Sequence, residues 1–119
     1  MMATRIIFHK VVQDGLEFGS DEKRSVSRVF FDLEEDGELF DDLFVDVEEP
    51  ADGTHKTEDI VVGKPQGVPT ALDFASLEHA VCVYYQNLVT SAGYGKHLAK
   101  DKGFRSHGDE LGLEQVVEL

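Results

Sequence analysis

One Asp-Gly pair, Asp36-Gly37, separates two apolar runs that alternate with period two: Val29-Phe30-Phe31-Asp32-Leu33 before it, and Leu39 to Val47 after it. Asp-Gly tolerates the positive φ that a tight hairpin demands. The alternation says that each arm is a strand with one face buried. Residues Ser25 to Glu49 are therefore read as a β-hairpin.

Its register decides which side chains share a face, because a slip of one residue inverts the pattern. A two-residue loop, Asp36-Gly37, sets Phe31 opposite Asp42 and Val29 opposite Phe44. A three-residue loop, Glu35 to Gly37, sets Leu33 opposite Leu39, Phe31 opposite Asp41 and Val29 opposite Leu43. The longer loop gathers Val29, Phe31, Leu33, Leu39, Leu43, Val45 and Val47 on one face, with Asp41 the single exception. It also puts Gly37 where a type I turn with a G1 bulge needs φ > 0, and it is the preferred reading. The opposite face then carries Phe30, Asp32, Glu34, Glu38, Phe40, Asp42, Phe44, Asp46 and Glu48, an acidic surface studded with three phenylalanines.

Around the hairpin the other elements fall into place. Thr4 to Gln13 is rich in β-branched and aromatic residues on both parities, as in a strand covered at least partly on both faces. Asp14-Gly15 is a turn, and Leu16-Glu17-Phe18 alternates like a short strand. Pro50 and Asp52-Gly53 end the hairpin, because proline cannot donate to a ladder. Asp59 to Val62 reads as a short strand, and Gly63 to Pro69 as a loop. From Thr70 to Ala92 the period changes. Phe74, Leu77, Val81, Tyr84 and Leu88 share one helical face, widened by Ala80 and Tyr85, with Thr70 or Asp73 as N-cap and Gly93 as the C′ residue. Residues 94–119 form a polar, partly mobile tail, in which Leu111, Leu113, Val116, Val117 and Leu119 are candidates for a short terminal helix.

Strands first and helix later is the order of an α+β fold. We expect one domain over residues 1–93, an antiparallel sheet of four to five short strands with one long helix of the C-terminal half packed on one face. The length of 119 residues leaves no room for a second core.

The formal net charge is −13, and the whole excess lies between residues 14 and 59. That field repels phosphate backbones and anionic lipid, which argues against nucleic-acid and membrane partners. The lone Cys82 makes no intrachain disulfide, and the N-terminus lacks the apolar stretch of a secretory leader. A cytoplasmic location is expected.

Sites for chemistry are sparse. Asp32, Glu34, Asp36 and Gly37 match the first half of a calcium loop, but its twelfth position is Leu43, which cannot ligate. His79 and Cys82 lie three apart on the helix, enough for two zinc ligands, with no second pair to complete a site. Gly93 to His97 lacks the glycine and the Ser/Thr of a phosphate loop. No catalytic residues, metal ligands or cofactor are assigned.

The acidic hairpin face carries the functional reading. Ten acids lie between Asp32 and Glu49, and carboxylates on alternate strand residues sit at about phosphate spacing, about 6.7 Å. Phe30, Phe40 and Phe44 among Asp32, Asp42 and Asp46 combine apolar anchors with steering charge. The expected function is a non-enzymatic interaction or regulatory module that binds a protein partner, or itself, through these six residues. The alternative is a small metal-dependent hydrolase centred on His55, Asp59 and His97, or a small-molecule-binding protein.

Overall fold

The computed structural model describes residues 4–13, 23–50, 56–65, 73–90 and 109–119. Five strands, β1 (Thr4–Gln13), β2 (Arg24–Glu35), β3 (Glu38–Pro50), β4 (Val61–Val62) and β5 (Asp109–Glu118), make one sheet in the order β4-β3-β2-β1-β5. Every neighbouring pair is antiparallel. Among the described residues a single long helix, α1 (Phe74–Thr90), packs on one face, so the fold is α+β.

The core is the layer between helix and sheet. Ile6, Phe8 and Val11 of β1, Val29, Phe31 and Leu33 of β2, and Leu43, Val45 and Val47 of β3 meet Leu77, Val81, Tyr84, Tyr85, Leu88 and Val89 of α1. Each such side chain contributes about 1.5–3 kcal/mol when fully buried. Phe8 stacks on Tyr84 with ring centroids 4.4 Å apart, which pins the helix over the middle of the sheet. The helical face expected from sequence is the face that is buried. Asp73 is its N-cap: its carboxylate accepts from the Ala75 amide at 3.1 Å and from the Ser76 hydroxyl at 2.8 Å.

The hairpin differs from expectation in its register. The turn is the two-residue one, with Glu35 opposite Glu38 and φ of 51° at Asp36 and 83° at Gly37. Two positive φ values are the mark of a type I′ turn, whose twist matches the strands it joins. Near the turn Leu33 faces Phe40; further along, Phe31 faces Leu43 and Val29 faces Val45. Between them β3 holds one extra residue, a bulge at Asp41-Asp42 with Asp42 at φ 57°. The bulge absorbs the acidic pair that broke the alternation, and so no three-residue loop is needed. The side chains between the turn and the bulge change faces as a result. Phe40 turns inward against the core, and Leu39 turns outward, 55% exposed.

The C-terminus also differs. Where a terminal helix was expected, Asp109–Glu118 is a strand paired along β1, with Ile6 opposite Val117 and Val11 opposite Leu111. Leu111, Leu113, Val117 and Leu119 share one parity, and β1 had a free edge for them. Of the stretch Asp59 to Val62, only Val61–Val62 is strand, because Thr57–Asp59 forms a 3-10 turn. Leu16-Glu17-Phe18, Thr70 and Gly93 lie outside the described residues.

Candidate functional site

The sheet face opposite α1 has no described element lying over it. Its side chains come from alternate residues of four long strands, and cross-strand pairing sorts them into rows. One row is Glu118, Arg5 and Glu34; the next is Val116, Ile7 and Asp32; a third is Lys10, Phe30 and Phe44; a fourth is Val12, Arg28 and Asp46.

Aromatic and cationic groups interlock in the middle of this face. The rings of Phe30 and Phe44 lie 6.0 Å apart and tilted. The Lys10 ammonium stands 5.3 Å from the Phe30 centroid, and the Arg28 guanidinium 4.2 Å from that of Phe44. Arg28 also grips Asp46 with two nitrogens, at 2.8 and 3.4 Å. A guanidinium held by a carboxylate on its edge and a ring on its face has little freedom left. Phe44 keeps 39% of its surface exposed.

Five of the six residues singled out from sequence therefore belong to this region, and their electrostatics differ from a bare row of acids. Asp46 is matched by Arg28, Glu48 by Arg24 at 2.9 Å, Glu34 by Arg5 at 3.9 Å, and Asp32 by His9 at 2.9 Å. Arg24 and Arg28 come from β2, Arg5 and the His9 imidazole from β1, and no local pattern in the hairpin announces the two from β1. Phe40 is the sixth residue, and it packs on the inner face.

A second feature is a pair of aligned bulges. β1 is irregular between Phe8 and Lys10, β3 at Asp41-Asp42, and Asp32 of β2 lies between them. Asp32 joins the two, because one oxygen lies beside the His9 Nε2 atom and the other accepts from the Asp42 amide at 3.2 Å. His9, Lys10, Phe30, Asp32, Asp41 and Asp42 line the resulting recess, about 420 Å³ in volume. Bulges re-aim side chains in this way beside binding sites.

Compared with protein-family models, curated proteins and solved structures, the chain matches none.

On the inner face one polar group was missed by sequence reasoning. Glu49 is buried under α1, and its carboxylate accepts a hydrogen bond from the Tyr85 hydroxyl, which also lies 3.5 Å from Ser27 Oγ. Tyr85 had shown itself only as an apolar widening of the helical face. Burial pushes the nearby Cys82 thiol up, with Glu78 and Glu49 adding to the shift. Of the residues considered for a hydrolase, Asp59 is exposed in the 3-10 turn, while His55 and His97 lie outside the described residues. Among the described residues no three His, Cys, Asp or Glu side chains are grouped to hold a metal ion, and no helix is long and apolar enough to cross a membrane.

Proposed function

We propose that the chain is a cytoplasmic, non-enzymatic interaction module that docks a protein partner on the face of its sheet opposite α1. The observation that supports this reading is the exposed Phe44 ring under an Arg28 guanidinium already held by Asp46. Aromatic and arginine side chains dominate binding hot spots, and groups fixed beforehand lose less entropy on association. The ion pairs around them neutralise much of the acid on this face. Steering by charge then falls to the hairpin tip, where Glu35, Asp36, Glu38, Asp41 and Asp42 follow one another with no lysine or arginine between Arg28 and Lys56.

The test is to identify a partner captured from native lysate, then to compare variants of the purified chain against it. Phe44→Ser is expected to lose the partner and keep its melting temperature. Val61→Ser, an exposed apolar residue of β4, is expected to keep both. Retention of the partner by Phe44→Ser would sink this reading. Phe40→Ser serves as the fold control: Phe40 packs against the core, so its loss is expected to cost about 3 kcal/mol of stability.

The recess at the aligned bulges supports a second reading, small-molecule binding. A ligand there would be anchored by His9 and Lys10 beside the Phe30 ring. Thermal-shift screening would find it as a stabilising compound whose effect disappears in His9→Ala. A hit indifferent to that substitution would place the ligand elsewhere.

A further inference from the structure

β5 is the last strand of the sheet, and among the described residues nothing pairs with its outer edge. Which groups that edge offers follows from one bond. The Leu119 amide donates to the Thr4 carbonyl at 2.9 Å. Main-chain groups in an antiparallel pair alternate in direction, so Val117 and Gln115 also turn theirs toward β1. Glu118 and Val116 therefore present their N–H and C=O groups outward, a ready template for another strand, and Glu114 follows at the register shift between Gln115 and Gly112.

The two sides of this edge differ in chemistry. On the helix side, a groove of about 570 Å³ runs between α1 and β5, with Ala80, Val83, Tyr84, Val117 and Leu119 among its lining. On the other side stand Glu114 and Glu118, both exposed. Glu118 shares Arg5 with Glu34, at 3.6 Å. Glu114 makes no ion pair among the described residues. A strand laid on the edge would send alternate side chains to opposite faces. One set would enter the apolar groove and the other would meet the carboxylates.

We propose that the β5 edge and the groove beside it bind an extended segment of a partner protein in which apolar and basic residues alternate. Main-chain bonds to the edge would supply affinity, and the groove and the carboxylates would supply sequence preference. A second copy of β5 is a poor occupant. Asp109, Glu110, Glu114 and Glu118 give this strand four acids and no base, and self-pairing would bring like charges together. The five residues from Glu114 to Glu118 span about 17 Å, so the core of the bound segment is about as long. This surface is separate from the sheet face opposite α1, and either assignment stands without the other.

The experiment uses the full chain and two labelled peptides, one alternating valine with lysine and one alternating valine with glutamate. Fluorescence anisotropy reads binding, and amide hydrogen exchange reads where it occurs. Saturable binding of the lysine peptide alone is expected, with slowed exchange at Val116 and Glu118. Glu114→Lys is expected to weaken it about tenfold. Val116→Pro deletes an outward N–H while leaving the bonds to β1 intact, and it should abolish binding at a near-normal melting temperature. If that variant does not fold, the surface change Glu114→Lys decides alone. The proposal is overturned by no saturable binding, by equal binding of the glutamate peptide, or by binding indifferent to Glu114→Lys. It is overturned equally if the Val116 and Glu118 amides are already protected in the free protein, whether by its own chain or by a dimer seen in sedimentation.

Discussion

Tyr85 carries the most consequence of any one side chain. It is fully buried, and its hydroxyl donates to a carboxylate, Glu49, that is itself almost wholly enclosed. A buried acceptor that loses its donor keeps the full desolvation penalty. Tyr85→Phe removes one oxygen and creates almost no cavity, so its effect reports the loss of that hydrogen bond. A loss of about 1–3 kcal/mol is expected, read as a lower urea midpoint at an unchanged m-value. One turn of helix away, the Cys82 thiol is pushed up by burial first, then by Glu78 and Glu49. The native protein should therefore alkylate more slowly than its unfolded chain at mildly alkaline pH. The sign for stability follows from the same shift. A folded pKa above the unfolded one contributes stability that is present below the unfolded value and is lost as pH climbs through the folded one. Equal alkylation rates for native and unfolded chains would contradict the shift.

At the scale of elements, the hairpin turn offers the sharpest test. Gly37 sits at φ 83°, and a Cβ placed there would meet nothing within 4 Å. Any penalty for Gly37→Ala is thus conformational, not steric crowding, and about 1 kcal/mol is expected, measured by urea unfolding. A neutral result would show that the turn relaxes to another type. The same hairpin shows what a sequence reveals and what it hides. Strand, turn and helix were legible because each is written in local periodicity: Phe74 to Leu88 at helical spacing, Val29 to Leu33 at strand spacing. The bulge was not legible. It is a single unpaired residue whose only trace is Asp41-Asp42 interrupting an apolar face, and a change of loop length explains that trace equally well. Phe40 went to the wrong face for this reason alone. β5 was missed for a different reason: Leu111 to Leu119 fits helix and strand alike, and the free edge of β1 settled the matter. The site was legible by half. Phe30, Phe44, Asp32 and Asp46 lie in one hairpin, but Lys10 and His9 arrive through long-range pairing that no window of sequence contains.

At the scale of the whole molecule, two electrostatic effects oppose each other. The sheet face opposite α1 ties Arg5, Arg24 and Arg28 to Glu34, Glu48, Asp46 and Glu118. Exposed pairs of this kind contribute about 0–1 kcal/mol each and weaken in salt. Against them stands a net charge of −13, concentrated in the middle of the chain, whose self-repulsion disfavours the compact state and is also screened by salt. The pairs act over a few ångströms, where screening is slight. The repulsion acts over tens of ångströms, where a rise in ionic strength from about 0.01 to 0.1 M shortens the Debye length from about 30 to 10 Å. Screening should therefore remove more repulsion than attraction. Melting temperature is expected to increase over that range of sodium chloride, and a gain of about 1 kcal/mol would appear as roughly 4 °C in a domain of this size. A falling melting temperature would give the opposite ranking, with the lattice of arginine pairs outweighing the excess of acid. In that case Arg28→Ala, which breaks both the bidentate pair and the stacking on Phe44, should reduce the salt dependence.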